Sequence, residues 1–215
     1  VFVLTYIDNE YPKRLLDLPD PPLVLFCRGN SRLLAGPAIG IVGARKASPY
    51  GLRTARQFAR HVAGQGVAVV SGLALGIDGA AHRGALEAQG PTISVLGSGL
   101  DRIYPSAHAP LAREIAQKGL LLSEYAPDTP PARHRFPERN RIVSALSDRL
   151  LVVEAGEKSG SLITAGFSLD LGRDVFCVPG DLDRPVSRGT NRLIADGAIP
   201  ALEPEDLLAF GWPEP

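Results

Sequence analysis

The sequence has few cysteines and no long apolar run, and each absence excludes a class of protein. It contains two cysteines in 215 residues. A disulfide-stapled fold needs more cysteines in a shorter chain, and no spacing of Cys and His residues matches a zinc site. We therefore predict two buried thiols, Cys27 and Cys177, in a reducing cytoplasm, and no metal site.

The chain also has no excess of charge of one sign. Its 23 basic residues balance 23 acidic ones, which excludes a protein that coats nucleic acid by bulk attraction. Any nucleic-acid site must therefore depend on basic residues that are clustered in one part of the protein. No apolar run reaches the roughly 18–20 residues of a membrane span, and no basic-then-apolar leader opens the chain, so we expect no membrane association. Because the chain starts at Val1 and lacks methionine, we expect it to be part of a longer protein.

Short aliphatic runs alternate with segments of helical periodicity from Ile39 onward. Runs that are apolar on both faces are typical of interior strands in a parallel sheet that helices cover on each side. We predict a doubly wound, mainly parallel α/β sheet with helices on both faces, an extended Rossmann-like fold. The predicted strands are Ile39–Val42, Val67–Val70, Thr92–Leu96, Leu120–Leu122, Leu150–Val153 and Val175–Val178, and the predicted helices are Leu52–Val62, Ile77–Ala88, Ala107–Ala116 and Leu162–Leu171.

Proline positions divide the chain. Residues 1–37 are interrupted by prolines, contain one short predicted strand (Leu23–Cys27), and are expected to be a lead-in packed on the core. Residues 38–200 form the predicted Rossmann-like domain. Residues 201–215 are expected to be a tail or linker, in which Asp206–Phe210 is expected to form a last helical turn. Four prolines in the segment from Glu124 to Pro137 predict a long loop, of a kind that is either functional or mobile.

Small residues follow the predicted strands, where parallel sheets bind ligands. Glycines let backbone amides approach a ligand, and helix N-termini offer unpaired N–H groups to anions. Each glycine alone fits a tight turn, but together they favour a phosphate-lined groove. Its predicted members are Gly43, Ser71, Gly72, Gly97, Ser159, Gly160 and Ser161.

The nucleotide-binding signatures of common α/β enzymes are missing. Gly40 and Gly43 do not supply G-x-G-x-x-G, and Ser71 stands where an acidic residue would take a ribose hydroxyl. The Walker loop G-x-x-x-x-G-K-[ST] is also missing. We therefore predict no nucleotide cofactor.

Positive charge is concentrated in a short basic segment after the proline-rich loop. Arginine guanidinium groups bind phosphates through paired hydrogen bonds, and an aromatic ring can stack on an unpaired base. This combination is typical of sites for single-stranded nucleic acid. The alternative is that these arginines lie on a solvent-exposed helix face and bind no ligand. Asn140 either reads a base edge or, as we favour, caps the helix. The predicted binding residues of this segment are Arg133, Arg135, Phe136, Arg139, Asn140 and Arg141, with Arg45 and Lys158 from neighbouring loops.

Several motifs in order resemble the DNA-processing protein A (DprA, also called Smf) family. The similarity covers nearly the whole segment from Tyr6 to Ala198. The occurrence of several motifs in the same order and spacing is highly specific for the family. They occupy residues 41–45, 71–82, 97–105, 136–143, 153–155, 158–165, 178–180 and 189–194.

The resemblance implies a role without catalysis. Members of the family bind and protect single-stranded DNA, help load the RecA recombinase in natural transformation, act as dimers and need no nucleotide cofactor. It implies a DNA pocket formed by Arg45, the 133–141 segment and residues 159–161, and a dimer surface near Leu193–Leu208. Against many members of the family, the resemblance leads us to expect that residues 1–215 do not include the full N-terminal helical domain or the C-terminal winged-helix-like domain.

Three acidic or imidazole groups invite other interpretations. Asp78 and His82 lie four apart on a predicted helix, but no further ligand makes them a metal site. We expect Asp78 to meet backbone amides at the helix start and His82 to pack or hydrogen-bond nearby. Glu154, at the end of a predicted strand, is either a member of the site or, as we favour, the partner of an arginine of the basic segment.

The alternative function is a nucleotide-cleaving phosphoribohydrolase on a similar fold. Pro179-Gly180 followed by Gly189-Thr190 distantly resembles that family's P-G-G-x-G-T-x-x-E. An insertion splits the motif, and Leu193 replaces the glutamate that would stabilise an oxocarbenium-like transition state. Release of free base from nucleoside monophosphates would distinguish this enzyme from a DNA-binding protein.

Overall fold

The computed structural model describes residues 1–209, and its centre is a single sheet of nine strands. The strands are β1 (Phe2–Thr5), β2 (Val24–Gly29), β3 (Ala38–Val42), β4 (Ala68–Ser71), β5 (Thr92–Val95), β6 (Leu120–Ser123), β7 (Arg149–Val152), β8 (Asp174–Cys177) and β9 (Ile199–Pro200). Their order is β1-β2-β6-β5-β4-β3-β7-β8-β9. The seven strands β3 to β9 are parallel, and β1 and β2 extend the sheet in antiparallel pairing.

Helices cover both faces of the sheet because its strands are apolar on both sides. They are α1 (Pro49–Gly64), α2 (Ile77–Glu87), α3 (Ala109–Lys118), α4 (Arg135–Leu146), α5 (Gly160–Asp170) and α6 (Arg188–Ala195). The buried side chains of α1 and α2 pack with those of Ile39, Val69 and Leu151 on one face. Side chains of α4 and α5 pack with Val42 and Val70 on the other. The predicted doubly wound α/β fold is therefore confirmed.

Strand order reverses between β3 and β7. From β3 the chain adds β4, β5 and β6 on one side, then returns to place β7, β8 and β9 on the other. In an open parallel sheet, the crevice beyond the carboxyl ends of the strands at such a point is where ligands bind. The loops after β3 and β7 therefore border the expected ligand site.

All six predicted interior strands are present, each within one residue of its predicted ends. The predicted strands and helices did not include β1 and β9, which lie at the edges of the sheet, or α4 and α6, which are polar. Pro137 was wrongly assigned to a loop, because α4 already begins at Arg135. Proline is tolerated in the first turn of a helix, where its missing N–H would have no intrahelical partner.

The first 37 residues are joined to the sheet rather than only packed on it. They supply β1 and β2, and Leu15 and Leu25 are fully buried in the core. Tyr11 Oη donates to the carbonyl of Pro22 at 2.6 Å, and Arg14 donates to the carbonyl of Leu146 at 2.8 Å.

Part of the predicted tail also packs on the core. A 3-10 helix at Pro204–Leu207 buries Leu207 against the α1 side of the sheet. The predicted turn at Asp206–Phe210 thus begins earlier than expected, and Phe210 lies outside the described residues.

Both cysteines are buried as free thiols, and burial raises the pKa of each to about 12. In residues 1–209, no helix combines the length and the apolar character needed to cross a membrane.

Candidate nucleic-acid interface

A groove of about 470 Å³ opens at the reversal of strand order. The loop after β3 forms one wall, the loop after β7 and the start of α5 form another, and the first turns of α4 close it. The lining residues are Val42, Gly43, Ala44, Arg45, Lys46, Ala74, Asp78, Phe136, Pro137, Arg139, Asn140, Gly156, Lys158, Ser159, Gly160, Ser161, Thr164 and Val186.

Three exposed cations converge on this groove: Arg45, Lys46 and Lys158. None of them forms an ion pair with any residue between 1 and 209. The one carboxylate in the lining, Asp78, is buried. A chain with no net charge thus places unneutralised positive charge in one crevice. The sequence interpretation missed Lys46, although its position beside Arg45 was a usable signal.

The start of α5 faces the same groove. Ser159 is the N-cap, its Oγ accepts from the amide of Ser161 at 3.4 Å, and the two hydroxyls lie 2.7 Å apart. A side chain added at Gly160 would meet nothing within 4 Å, so its backbone is open to a ligand. Exposed amides and the positive end of the helix dipole favour an anion here.

Asn140 does not cap a helix. It lies inside α4, and its Nδ2 donates to the carbonyl of Gly160 at 3.3 Å. The capping role we favoured is therefore wrong. Asn140 instead joins α4 to the start of α5 across the groove.

Arg139 is buried beneath the groove rather than free within it. Its Nη1 donates to the carbonyl of Gly72 at 2.7 Å and to that of Val95. Burial lowers the pKa of Arg139 to about 10, against the opposing effect of nearby Asp78. Most of its donors are used inside the protein.

The expected shared surface of four arginines is not present. Arg141 donates to both carboxylate oxygens of Glu124, at 2.8 and 2.7 Å. Arg135 donates to the carbonyl of Pro130 and lies over the ring of Tyr125, 5.1 Å from its centroid. Arg133 is exposed but is not among the groove-lining residues. Helical geometry accounts for part of the difference: Arg139 and Arg141 lie about 200° apart on α4, and Arg133 precedes the helix.

The four remaining small residues that we predicted for the groove, Gly43, Ser71, Gly72 and Gly97, mainly permit close packing. Ser71 Oγ donates to the carbonyl of Ile41 at 2.7 Å. A Cβ on Gly72 would lie 2.4 Å from Arg139, one on Gly97 would lie 2.8 Å from Phe136, and one on Gly43 would lie 2.6 Å from Ile77. Of these four residues only Gly43 lines the groove.

Asp78 and His82 have the local partners that we expected. Asp78 Oδ2 accepts from the amides of Gly72 and Ala74 at 3.1 and 3.3 Å, although burial raises its pKa. His82 Nδ1 lies 2.7 Å from Thr92 Oγ1. No group of three or more potential metal ligands occurs among the residues that the structure describes.

Glu154 does not pair with the basic segment, so that prediction was wrong. Its carboxylate accepts from the amide of Ser48 at 2.9 Å and from the Ser48 hydroxyl. Since Ser48 is the N-cap of α1, Glu154 holds the end of the loop that carries Arg45.

The Pro179-Gly180 turn differs from an open phosphate-binding loop. Asn191 accepts from the amide of Gly180 at 3.1 Å and donates to its carbonyl at 2.8 Å. The Ser187 hydroxyl lies against the same glycine. The amide that a phosphate would need is already paired.

Comparison with known families places this geometry in context. A model of the DNA recombination-mediator protein A family matches residues 2–211. The chain belongs to this family. The resemblance predicted from the motifs is thereby confirmed.

Individual relatives of the family agree with this assignment. The chain is 47% identical to protein Smf of Escherichia coli K12 over 94% of its own length. It is 44% identical to the DNA processing protein DprA of Bacillus subtilis over 93% of its length. It spans 54% of the first relative and 67% of the second.

Solved structures show the same fold. DNA processing protein A of Streptococcus pneumoniae matches with a TM-score of 0.93 at 40% identity, over 96% of this chain and 73% of that one. DNA processing protein A of Helicobacter pylori, described with its single-stranded DNA binding mode, matches with a TM-score of 0.87 at 36% identity, over 96% and 94%. A molybdenum cofactor binding protein of Rippkaea orientalis shares only the fold, at 23% identity and a TM-score of 0.56 over 80% of this chain and 93% of that one.

Proposed function

We propose that this chain binds single-stranded DNA in the groove between the loops after β3 and β7. The observation that carries the proposal is the convergence of Arg45, Lys46 and Lys158, without acidic partners among residues 1–209, at the N-terminal end of α5. Phosphates would contact these cations together with Ser159, Gly160 and Ser161.

The lining favours an unpaired strand over a duplex. Phe136 contributes an aromatic surface beside the cations, and proteins that bind single strands combine a positive groove with aromatic side chains near the bases. The related protein of Helicobacter pylori, which has a described single-stranded DNA binding mode, supports the same ligand.

A fluorescence anisotropy titration tests the proposal. A labelled single strand and a duplex of equal length would be compared at two salt concentrations. We expect tighter binding of the single strand and a salt slope of about −0.7 per phosphate contacted. Combined Arg45→Ala and Lys158→Ala substitution should weaken binding and flatten the slope.

The matched control replaces two exposed arginines outside the groove, Arg32→Ala and Arg60→Ala, which remove the same charge. They should leave affinity almost unchanged. Equal losses in both double variants would mean that only overall charge matters, and no loss in either would place the site elsewhere.

We further propose the partners that the family resemblance implies: the RecA recombinase, loaded onto bound DNA in the cytoplasm during natural transformation, and a second copy of the chain. Near Leu193–Leu208, Ile199 is 41% exposed and Leu202 is 76% exposed, and exposed apolar clusters mark interaction sites. Light scattering of an Ile199→Glu, Leu202→Glu variant should show monomers where the parent chain shows dimers. If the variant still forms dimers, the dimer interface lies elsewhere on the protein.

We propose that binding, not catalysis, is the activity of this chain. The paired amide of Gly180 and the engagement of Glu154 with Ser48 support this view over a phosphoribohydrolase. Incubation with nucleoside monophosphates should release no free base. Steady release that is lost in Glu154→Gln would overturn this conclusion.

A further inference from the structure

A second concave surface lies at the edge of the sheet opposite the cationic groove. It is a cleft of about 580 Å³ between two 3-10 helices, Lys13–Asp17 and Ser31–Ala35. Its walls come from segments 9–14 and 31–35. The second wall follows β2, whose last residue, Gly29, pairs with Leu120 at the amino end of β6. We call this surface the lead-in cleft.

Two cations on the walls of the lead-in cleft have no acidic partner. Lys13 and Arg32 are exposed, one on each wall, and neither forms an ion pair within the part of the chain that the structure describes. Arg14 differs, because it lies 3.4 Å from Asp148 and donates to the carbonyl of Leu146 at 2.8 Å. The two unpaired cations give the cleft a local positive potential that favours an anionic ligand.

The floor of the lead-in cleft is apolar. Tyr11 and Leu34 are each 4% exposed, Pro12 is buried, and Ala35 is exposed at the mouth. The hydroxyl of the tyrosine is already engaged, since its Oη donates to the carbonyl of Pro22 at 2.6 Å. A ligand that fills the cleft must therefore present an apolar group to the floor as well as negative charge to the walls.

The lining favours a peptide over a nucleic acid. Sites for single strands combine positive charge with aromatic faces on which bases stack. Among the described residues that line this cleft, Tyr11 is the only aromatic one, and it is buried. Glu10 is exposed on the same wall as Lys13, where its carboxylate would repel a continuous row of phosphates. An acidic peptide can instead place separate carboxylates beside the two cations and an apolar side chain on the floor.

The lead-in cleft and the cationic groove are separated by the length of the strands. The groove lies beyond the carboxyl ends of β3 and β7, whereas Arg14 fixes the cleft to the amino ends. The arginine does so by donating to the carbonyl of Gly36, shortly before β3, at 3.2 Å. Within residues 1–209 the two surfaces share no lining residue. A ligand in the cleft therefore leaves the groove open.

We propose that the lead-in cleft is a docking site for an acidic peptide segment of a partner protein, one that carries apolar side chains between its carboxylates. The carboxylates contact Lys13 and Arg32, and an apolar side chain lies against Tyr11 and Leu34. Glu10 disfavours a further carboxylate at its end of the cleft and so fixes the direction of the peptide. This inference goes beyond the proposed function and does not depend on it.

Fluorescence anisotropy with a short labelled peptide of alternating aspartate and leucine tests the docking site. Combined Lys13→Ala and Arg32→Ala substitution should weaken binding of this peptide about 2- to 30-fold, the range for loss of two exposed charge contacts. Added salt should weaken binding by the parent chain, because exposed charges are screened. Glu10→Gln should tighten it about 1.5- to 5-fold, since one repulsion is removed. A misfolded variant would not produce such a gain.

Matched variants separate the cleft from overall charge and from steric effects. Arg53→Ala with Arg60→Ala removes the same charge at exposed positions outside the cleft and should leave peptide affinity unchanged. Ala35→Glu adds a carboxylate at the mouth and should weaken binding, whereas Ala35→Lys, of similar bulk, should not. All variants would be compared by thermal unfolding. Equal losses in the two double variants would overturn the assignment to the cleft.

Two further peptides and one competitor complete the test. Peptides of alternating asparagine and leucine, or of alternating aspartate and serine, should bind more weakly than the parent peptide. Equal binding of either one would overturn the combined acidic and apolar recognition. A saturating unlabelled single strand should not displace the peptide, and displacement would place the peptide in the cationic groove instead.

The docking site and the DNA-binding proposal fail separately. If the parent chain binds the peptide but not a single strand, the DNA-binding proposal is wrong and the docking site stands. If it binds a single strand but not the peptide, the docking site is wrong and the DNA-binding proposal stands.

Discussion

Arg141 and Glu124 form a bidentate ion pair, in which Nη1 of the arginine lies 2.8 Å from Oε1 of the glutamate and Nη2 lies 2.7 Å from Oε2. Their side chains are only 14% and 16% exposed. Arg141 Nε also donates to the carbonyl of Asp20 at 3.1 Å. The arginine therefore ties α4 to the end of β6 and to the lead-in, while Phe136 and Asn140 of the same helix face the groove.

Replacement of Arg141 by alanine should affect stability more than binding. Loss of a partly buried pair that leaves Glu124 without its cation should lower the free energy of unfolding by about 2 kcal/mol, between the values for exposed and buried pairs. Single-strand affinity should change by less than about twofold. Urea unfolding and anisotropy on the same samples would check both. A loss of DNA affinity with unchanged stability would show that Arg141 belongs to the DNA-binding site.

Arg139 should prove structural by the same comparison. Arg139→Met keeps much of the side-chain volume but removes the donor to the carbonyls of Gly72 and Val95 and the positive charge near the buried Asp78. We expect a loss of about 3–5 kcal/mol in the free energy of unfolding. Arg139→Lys should recover only part of it, because an ammonium lacks the planar fork. A stable Arg139→Met protein that binds DNA poorly would contradict this assignment.

The sequence predicted the central strands correctly, but it did not predict which residues the arginine side chains contact. Runs such as Ile39–Val42 and Leu150–Val153 are apolar on both faces, and only a central parallel strand buries both. The partners of Arg139 and Arg141 depend on contacts with residues as distant as Gly72 and Asp20, which no local pattern records. Tyr104 was not among the predicted binding residues, because nothing in its own motif shows that the ring of Phe136 lies 5.4 Å from it.

His82 should make the protein less stable as the pH falls. Thr92 Oγ1 donates to the carbonyl of Val69 at 2.8 Å, so it accepts from His82 Nδ1–H, and Nε2 is buried without a partner in the described part of the chain. Burial, together with the positive charges of His108, Arg139 and Arg83, lowers the pKa of His82 from 6.5 to about 3. Between these values only the unfolded chain binds the proton, so stability present above pH 6.5 is lost as the pH falls.

The size of this effect follows from linkage. One proton taken up on unfolding changes the free energy of unfolding by about 1.4 kcal/mol per pH unit, or about 2 kcal/mol between pH 6.5 and 5. Urea unfolding across that range should show this loss in the parent chain and not in His82→Gln. His134→Gln, at an exposed histidine, should behave like the parent. Parallel pH curves for the parent and His82→Gln would show that His82 does not titrate in this way.

Gly97 should tolerate no side chain, because the ring of Phe136 occupies the space. A methyl group there would lie 2.8 Å from Phe136 Cδ1, and the ring would have to move away from Arg45 and Tyr104. We expect Gly97→Ala to cost about 1–3 kcal/mol in the free energy of unfolding, the usual penalty for overpacking. It should also weaken single-strand binding, because it displaces the ring that supports both groups. Gly166→Ala is the matched control: its methyl group meets nothing within 4 Å, and inside α5 it should stabilise the protein by about 0.5–1 kcal/mol. If Gly97→Ala binds DNA as tightly as Gly166→Ala, the position of the Phe136 ring does not matter for the ligand.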